Sequence, residues 1–412
     1  MSSATDTSSS LQATPSLPAG APAAARTVLK LLQRLRHGTL TVELPDGSVR
    51  HFGSGEGLAA SLKLHNWNVC AAAMKSGDIG FAEGYIAGDW STPDLSALLR
   101  VFIANRREME DVIYGTWFGR LVYRIKHLLN RNTKGGSQKN IHAHYDLGNA
   151  FYELWLDGSM NYSSALFEQP GQSMREAQNA KVRRALRMSG VQPGDRVLEI
   201  GCGWGALAEM ATAEFGASLV GVTLSTEQLA WARERLTRQG LAERADLRLQ
   251  DYRDIAQADG PFDAVCSIEM IEAVGREFWP TYFQAVARLL KPGGRACIQS
   301  IVIADELFER YLGSTDFIQQ YIFPGGCLPS PGAFRDQAAR AGLKVVDEFC
   351  FGQDYAHTLK LWRDDFMRQE TRVLALGFDR RFMRIWEFYL AYCEAAFAER
   401  NTDVVQYTLE KA

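Results

Sequence analysis

No two cysteines in this 412-residue chain are spaced as C-x-x-C. The seven present, Cys70, Cys202, Cys266, Cys297, Cys327, Cys350 and Cys393, stand singly and make an odd total. That pattern argues against a cysteine-built zinc module and a disulfide framework, and it suits a reduced, cytosolic protein. The seven histidines hold no H-E-x-x-H, and His142-x-His144 is too sparse a ligand set for zinc, so no structural metal is expected. No stretch approaches the ~18 consecutive apolar residues of a membrane span, and the first residues lack the basic start and apolar run of a secretory signal. A membrane is therefore expected to be met only from outside. Bulk charge is also missing: 45 Lys+Arg face 48 Asp+Glu for a formal charge of −3. A broad cationic face for nucleic acid does not fit that balance, so no nucleic-acid partner is expected.

What is present is the composition of a globular protein, 46% hydrophobic and 23% charged, over a length that calls for roughly two or three packed units. Residues 1–25 are Ser, Thr, Ala and Pro with almost no large apolar groups and read as a disordered tail. From Arg26, Val28, Leu29, Leu31, Leu32 and Leu35 recur at helical spacing, which predicts a first core helix. The segment after it alternates polar and apolar around Pro45-Asp46-Gly47 and predicts a β-hairpin. Residues 26–110 thus form a small α+β unit. Residues 111–141 read as a basic connector helix and hinge. No acid occurs between Val112 and Tyr145, while Arg120, Arg124, Lys126, Arg131, Lys134 and Lys139 alternate with aromatic and aliphatic residues. A solvated linker face is the plainer explanation of that run, and a site for anionic lipid headgroups the sharper one.

Residues 142–412 form the last unit. Apolar strands are predicted at Val197–Gly201, Ser218–Leu224, Ala245–Asp251, Phe262–Ile268 and Arg295–Ile303, with helices between them. Such alternation predicts an α/β fold with a doubly wound, mainly parallel, Rossmann-like sheet, whose ligand lies beyond the carboxyl ends of the strands. The first strand ends Glu199-Ile200-Gly201-Cys202-Gly203-Trp204-Gly205. Glycines at 201 and 203 let the backbone approach a ligand, and an acid two residues before the first glycine is similar to the first motif of S-adenosylmethionine methyltransferases. A dinucleotide site fits less well, because the spacing is not G-x-G-x-x-G and no acid ends the second strand. After that strand, Ser225 and Gln228 have the spacing of a capping box, and Thr223, Leu224 and Gln228 also face the expected ligand. Asp251 and Tyr252 follow the third strand. Lone Cys202 and Cys327 read as buried fillers, Trp362 fits core packing or a tunnel wall equally, and the Arg380, Arg381 and Arg384 cluster reads as a solvated helix face.

In order along the chain, GDIGFAEGYIAGDWSTPDL, HYDLGNAFYELWLD, MNYSSALF, VLEIGCGWG, GVTLSTEQ, EMIEAVG, YIFPGGCLPS and DYAHTLKLW closely resemble the cyclopropane fatty acid synthase family, from about Gly53 onward. The resemblance implies an S-adenosylmethionine-dependent methyltransferase acting on cis double bonds of phospholipid acyl chains. It implies a cytosolic location at the inner face of the membrane and leaves room for a homodimer. The cofactor would be held by Tyr162, Ser163, Gly201, Gly203, Thr223, Leu224, Ser225, Gln228, Asp251 and Tyr252. It further implies a bound bicarbonate as base, held by Glu272, Tyr355 and the backbone at Ile301. At two positions the chain departs from the family: Ser164 stands for a Cys and Gln299 for a His. An amide still donates a hydrogen bond but carries no charge. Glu269, three residues before Glu272, either supplies the missing function or caps local structure. The product is a cyclopropane or, after a hydride shift, a methylene or methyl branch. Two further readings are an O- or N-methyltransferase for a hydrophobic small molecule and a lipid-binding protein without catalysis.

Overall fold

In the computed structural model, which describes residues 20–107 and 147–412, the chain builds two sheets. The smaller is ordered β2-β1-β3-β4, from β1 (Thr39–Glu43), β2 (Val49–Gly53), β3 (Ala59–Leu64) and β4 (Trp90–Ser91). β1 and β2 form the antiparallel hairpin expected around Asp46-Gly47, where Gly47 takes a φ of 81° and Asp46 Oδ1 accepts the Ser48 N–H at 2.9 Å. The predicted first helix spans Ala23–Leu32 and buries Leu29, Leu31 and Leu32. It begins ahead of Arg26, and Ala21 and Ala25 are already buried, so packing reaches into the segment that composition marks as a tail. Alanine fits this close contact while adding little to an apolar count. The basic connector lies outside the described residues.

The larger sheet is ordered β10-β11-β9-β8-β5-β6-β7, from β5 (Arg196–Ile200), β6 (Ser218–Thr223), β7 (Ala245–Leu249), β8 (Phe262–Ile268), β9 (Leu290–Ile303), β10 (Leu343–Cys350) and β11 (Thr402–Lys411). β7, β6, β5, β8 and β9 run parallel and are the five strands legible in the sequence; β11 lies antiparallel between β9 and β10. Strand order reverses on either side of β5, which opens the crevice at the carboxyl ends of β5 and β8. Among the described residues no helix is long and apolar enough to cross a membrane.

The smaller sheet packs in one core with the C-terminal helices, while the strands of the larger sheet bury their faces chiefly in two other apolar clusters. Helices Asn68–Ala87 and Leu95–Ala104 pack on the long helix Arg380–Ala398, with the Tyr85 hydroxyl donating to Glu387 at 2.6 Å and Arg100 paired to Glu399 at 2.8 Å. Asp78 is buried in this contact, accepting the Phe317 N–H at 3.2 Å and the Tyr392 hydroxyl at 3.0 Å. Burial, and then the charge of Asp316, push its carboxyl up to about 7, and burial raises Asp316 to about 6. The folded state therefore holds protons that the unfolded chain releases near pH 4. The stability this contributes is present at acid pH and lost as pH rises through about 7. The melting temperature is expected to fall by several degrees from pH 5 to pH 8, and Asp78→Asn to flatten that fall. An equal slope in both proteins, measured by circular dichroism, would refute the assignment.

Candidate active site

β5 is followed directly by Gly201, whose φ of 87° suits glycine, and a Cβ there would lie 3.0 Å from Met270 Cγ. Beyond it lies a cleft of about 170 Å³. Nine of the ten residues expected to hold the cofactor line it: Tyr162, Ser163, Gly201, Gly203, Thr223, Leu224, Gln228, Asp251 and Tyr252. Ser225 does not. Its hydroxyl caps helix Thr226–Arg238 by accepting the Gln228 N–H at 3.2 Å, which commits the side chain to local structure. The capping box is incomplete, because the Gln228 side chain accepts from the Thr223 hydroxyl at 3.0 Å instead of reaching back to the helix start. Asp251 is held by Arg253 through Nε at 2.8 Å. Glu199, on β5, also lines the cleft. Burial raises its carboxyl well above the usual range, and its Oε2 has no hydrogen-bond partner among the described residues. A ligand bearing ammonium and hydroxyl donors suits such an acceptor.

A second cavity, about 190 Å³, shares Tyr162, Glu269 and Ala273 with the cleft and is otherwise largely apolar and aromatic. Glu272, Ile301 and Tyr355 line it, as do Phe323, Tyr389 and Phe397. Tyr162 and Tyr389 join hydroxyls at 2.7 Å. A third cavity of about 230 Å³ continues toward the smaller sheet, sharing Tyr311, Asp316, Tyr392 and Ala396 with the second and ending among Val28, Leu29 and Phe81.

Where cleft and second cavity meet, Glu269 gathers three donors. Its Oε1 accepts the Ser164 N–H at 2.9 Å and Gln299 Nε2 at 2.7 Å; its Oε2 accepts the Tyr355 hydroxyl at 2.7 Å. Gln299 and Ser164 thus reach the site through Glu269. The Ile301 N–H donates to Glu272. Burial, and then the charge of Glu269, push Glu272 up to about 8, and its Oε2 has no hydrogen-bond partner among the described residues. Burial raises Glu269 too, opposed by the Lys181 charge and by its three donors.

Two members of this cluster were not singled out from the sequence. Gln406, on β11, sits opposite Gln299 in register and donates to its Oε1 at 3.0 Å, while Arg184 donates to Gln406 at 2.8 Å. Lys181 is fully buried and donates to the Ser163 hydroxyl; burial lowers its ammonium to about 8. No sequence signal marks Lys181, which stands among surface-type arginines. Trp362 is a core residue against Trp155, at 5.7 Å between ring centroids. Cys202 and Cys327 are buried thiols raised by burial, Cys327 to about 12, as fillers should be. Arg384 donates to the Tyr85 carbonyl at 2.9 Å and so is not merely a solvated side chain.

A family model described as mycolic acid cyclopropane synthetase matches residues 132–407. The tuberculostearic acid methyltransferase UfaA1 of Mycobacterium tuberculosis is 39% identical over 405 residues, covering 95% of this chain and 93% of that protein. The cyclopropane-fatty-acyl-phospholipid synthase of Escherichia coli is 32% identical over 352 residues, covering 85% and 88%. The solved structure of mycolic acid cyclopropane synthase CmaA1 complexed with SAH and CTAB superposes with a TM-score of 0.62 at 31% identity, over 66% of this chain and 98% of that one. The chain belongs to the mycolic acid cyclopropane synthetase family and is an S-adenosylmethionine-dependent methyltransferase of the cyclopropane-synthase type.

Proposed function

We propose that this enzyme adds the methyl carbon of S-adenosylmethionine to a cis double bond in an unsaturated acyl chain of a membrane phospholipid, with proton loss from the new carbon closing a cyclopropane ring. One observation carries the reading: a cleft that sets polar groups such as Ser163, Glu199 and Asp251 among apolar walls, and an apolar aromatic cavity, meet at Tyr162 and Glu269. A polar methyl donor and a hydrocarbon chain need separate seats with one point of contact. When bound, S-adenosylmethionine supplies an electrophilic methyl. The glycines at 201 and 203 admit it closely, and the walls at Tyr162, Ser163, Thr223, Leu224, Gln228, Asp251 and Tyr252 orient it. Positive charge then develops on the acyl chain. The rings of Tyr162, Tyr355, Tyr389 and Phe397 face that space and stabilise such charge by roughly 0.5–2 kcal/mol each. Their burial excludes the water that would trap it.

The third cavity gives the far end of the chain somewhere to go. Ala396 lines both apolar cavities, so Ala396→Phe narrows the passage. Competition between long and short unsaturated chains is expected to shift toward the short ones by about tenfold in kcat/KM, the effect of roughly 1.4 kcal/mol. An unchanged ratio would remove the third cavity from the acyl path.

The cationic run between Val112 and Tyr145 supports work at a membrane surface, where each such residue acts at ~1 kcal/mol toward anionic lipid. A second outcome, a methylene or methyl-branched acyl chain reached when a hydride shift precedes proton loss, draws support from the similarity over 95% of the chain to a protein named as a tuberculostearic acid methyltransferase. Incubation with S-adenosylmethionine and vesicles of unsaturated phosphatidylglycerol tests the proposal. The acyl chains should gain the mass of one CH2, and NMR of the product separates ring from olefinic methylene. No mass gain on any unsaturated chain would refute the alkene chemistry.

A further inference from the structure

We propose that Glu269 is a built-in catalytic base whose carboxylate occupies the seat that the family resemblance assigns to bicarbonate; the catalytic part rests on the alkene chemistry proposed above. The bicarbonate cage would consist of the backbone N–H at 164, the side chain at 299, the Tyr355 hydroxyl, the Ile301 N–H and Glu272. Each of the first three already donates to Glu269, at 2.9, 2.7 and 2.7 Å, and the fourth donates to Glu272. All four N–H and O–H groups of that cage already have a carboxylate acceptor, and only the Glu272 carboxyl, through its Oε2, and the second N–H of Gln299 remain to donate. A bicarbonate added here would need the donors that Glu269 already holds and would bring a third acidic group against two half-buried carboxyl groups, an expensive arrangement even beside the Lys181 charge. The residues present therefore do not fit bicarbonate. They fit a carboxylate tethered to the chain.

Three independent features agree. Glu269 has a φ of 49°, one of only three non-glycine residues with positive φ among the described residues, and its N–H is pinned to the Gln299 carbonyl at 2.8 Å. Such backbone is strained for a residue with a side chain and persists where surrounding structure enforces it. Second, Gln299 is oriented for the task. Its Oε1 is taken by Gln406 Nε2, itself positioned by Arg184, which turns Gln299 Nε2 toward Glu269. A donor to a tethered carboxylate needs no charge of its own, which gives a reason for Gln rather than His. Third, Glu269 lines both the cofactor cleft and the acyl cavity, so its carboxylate borders the place where methyl and alkene meet.

Three of about four acceptor positions on the carboxylate are filled, which leaves one on Oε2. The alkene π pair forms the new C–C bond as the S–C bond breaks, its electrons staying on sulfur, and the acyl chain becomes cationic. Glu269 then takes a proton from the new carbon, and the freed C–H pair closes the ring or, after a hydride shift, forms the methylene double bond. The proton passes to solvent when the lipid leaves. Glu272, with its carboxyl near 8, remains the protonated partner.

Two assays decide this. In the first, binding of 13C-bicarbonate to the S-adenosylhomocysteine complex is followed by NMR. The wild type should not bind it, whereas Glu269→Gly, which empties the seat and suits the positive φ, should. Bicarbonate bound by wild type would overturn the occupancy, whatever the substrate proves to be. In the second, turnover of an unsaturated phospholipid is compared in carbon-dioxide-free buffer and with bicarbonate added. Wild type should be indifferent. Glu269→Gln should keep S-adenosylhomocysteine affinity and lose about 10²–10⁴-fold in kcat, the usual contribution of a positioned base; Glu269→Gly should be revived by bicarbonate or formate. A wild type that needs bicarbonate, or a Glu269→Gln variant within a few-fold of wild type, would overturn the base. If wild type turns over no unsaturated lipid, the alkene reading fails and takes the base with it, and the binding assay still settles the seat.

Discussion

Gly201→Val is expected to weaken binding of S-adenosylhomocysteine by at least about 10²-fold and to abolish turnover. Gly201 holds a φ of 87°, and its N–H donates to the Val222 carbonyl at 2.9 Å, so the backbone cannot swing away without losing the link to β6. A β-branched side chain at such a φ costs of order 1–3 kcal/mol. Its Cβ would also stand 3.0 and 3.3 Å from Met270, and its methyls would fill space the ligand needs. Gly203→Ala is the informative companion. A Cβ at 203 meets no protein atom within 4 Å, so beyond the backbone strain of its φ of 50°, which a melting curve reports, lost affinity there reads collision with the ligand. Isothermal titration measures both. Wild-type affinity in Gly201→Val would contradict placing the cofactor in this cleft.

Tyr355→Phe is expected to lower kcat by roughly 10- to 150-fold while leaving cofactor affinity and lipid KM nearly unchanged. The ring stays packed on Phe397, at 4.4 Å between centroids, and only the hydroxyl that donates to Glu269 at 2.7 Å is lost. Hydrogen bonds to charged groups are worth about 1.5–3 kcal/mol, which converts to that range of rates. Burial and the neighbouring Glu269 hold the phenol well above its ordinary value, so it remains a donor throughout the working range. The sign of the pH effect follows. Removing a donor from a carboxylate makes the ionised form less favourable and raises its pKa, so the acid limb of the kcat profile should move to higher pH in the variant. A lowered kcat with an unmoved limb would confine Tyr355 to packing.

Much of the architecture was legible because parallel strands buried on both faces read as short apolar runs, as β5, β6 and β8 do. β11 escaped this signal. It is buried from Val404 to Leu409, and Val405, Tyr407 and Leu409 alternate with Gln406, Thr408 and Glu410, a pattern that reads as a half-exposed strand and conceals that the polar side is buried too. The missing strand hid part of the site, since Gln406 acts only through its register with Gln299. Residues whose role follows from backbone position, such as Gly201 and Thr223, could be named from spacing alone. Ser225 could not be separated from them: the spacing that makes a helix cap also places a residue beside a cleft. Gln299 was visible as a departure from the family pattern and Glu269 as a second carboxylate three residues before Glu272. Their mutual fit was not, because it depends on the end of β8 and the middle of β9 meeting at hydrogen-bond distance. Lys181 was invisible for another reason. In a helix rich in arginine its burial is set by the surrounding fold rather than by its own sequence.

The central claim is that a carbon of an acyl chain receives the methyl group and that the new carbon then gives up a proton. Supplying the enzyme with S-adenosylmethionine bearing a fully deuterated methyl group, and analysing the lipid by mass spectrometry and NMR, tests this most directly. The predicted product carries two of the three deuteriums on one new carbon within the acyl chain. All three retained on an oxygen or nitrogen, or an unlabelled acyl chain beside consumed donor, would contradict it.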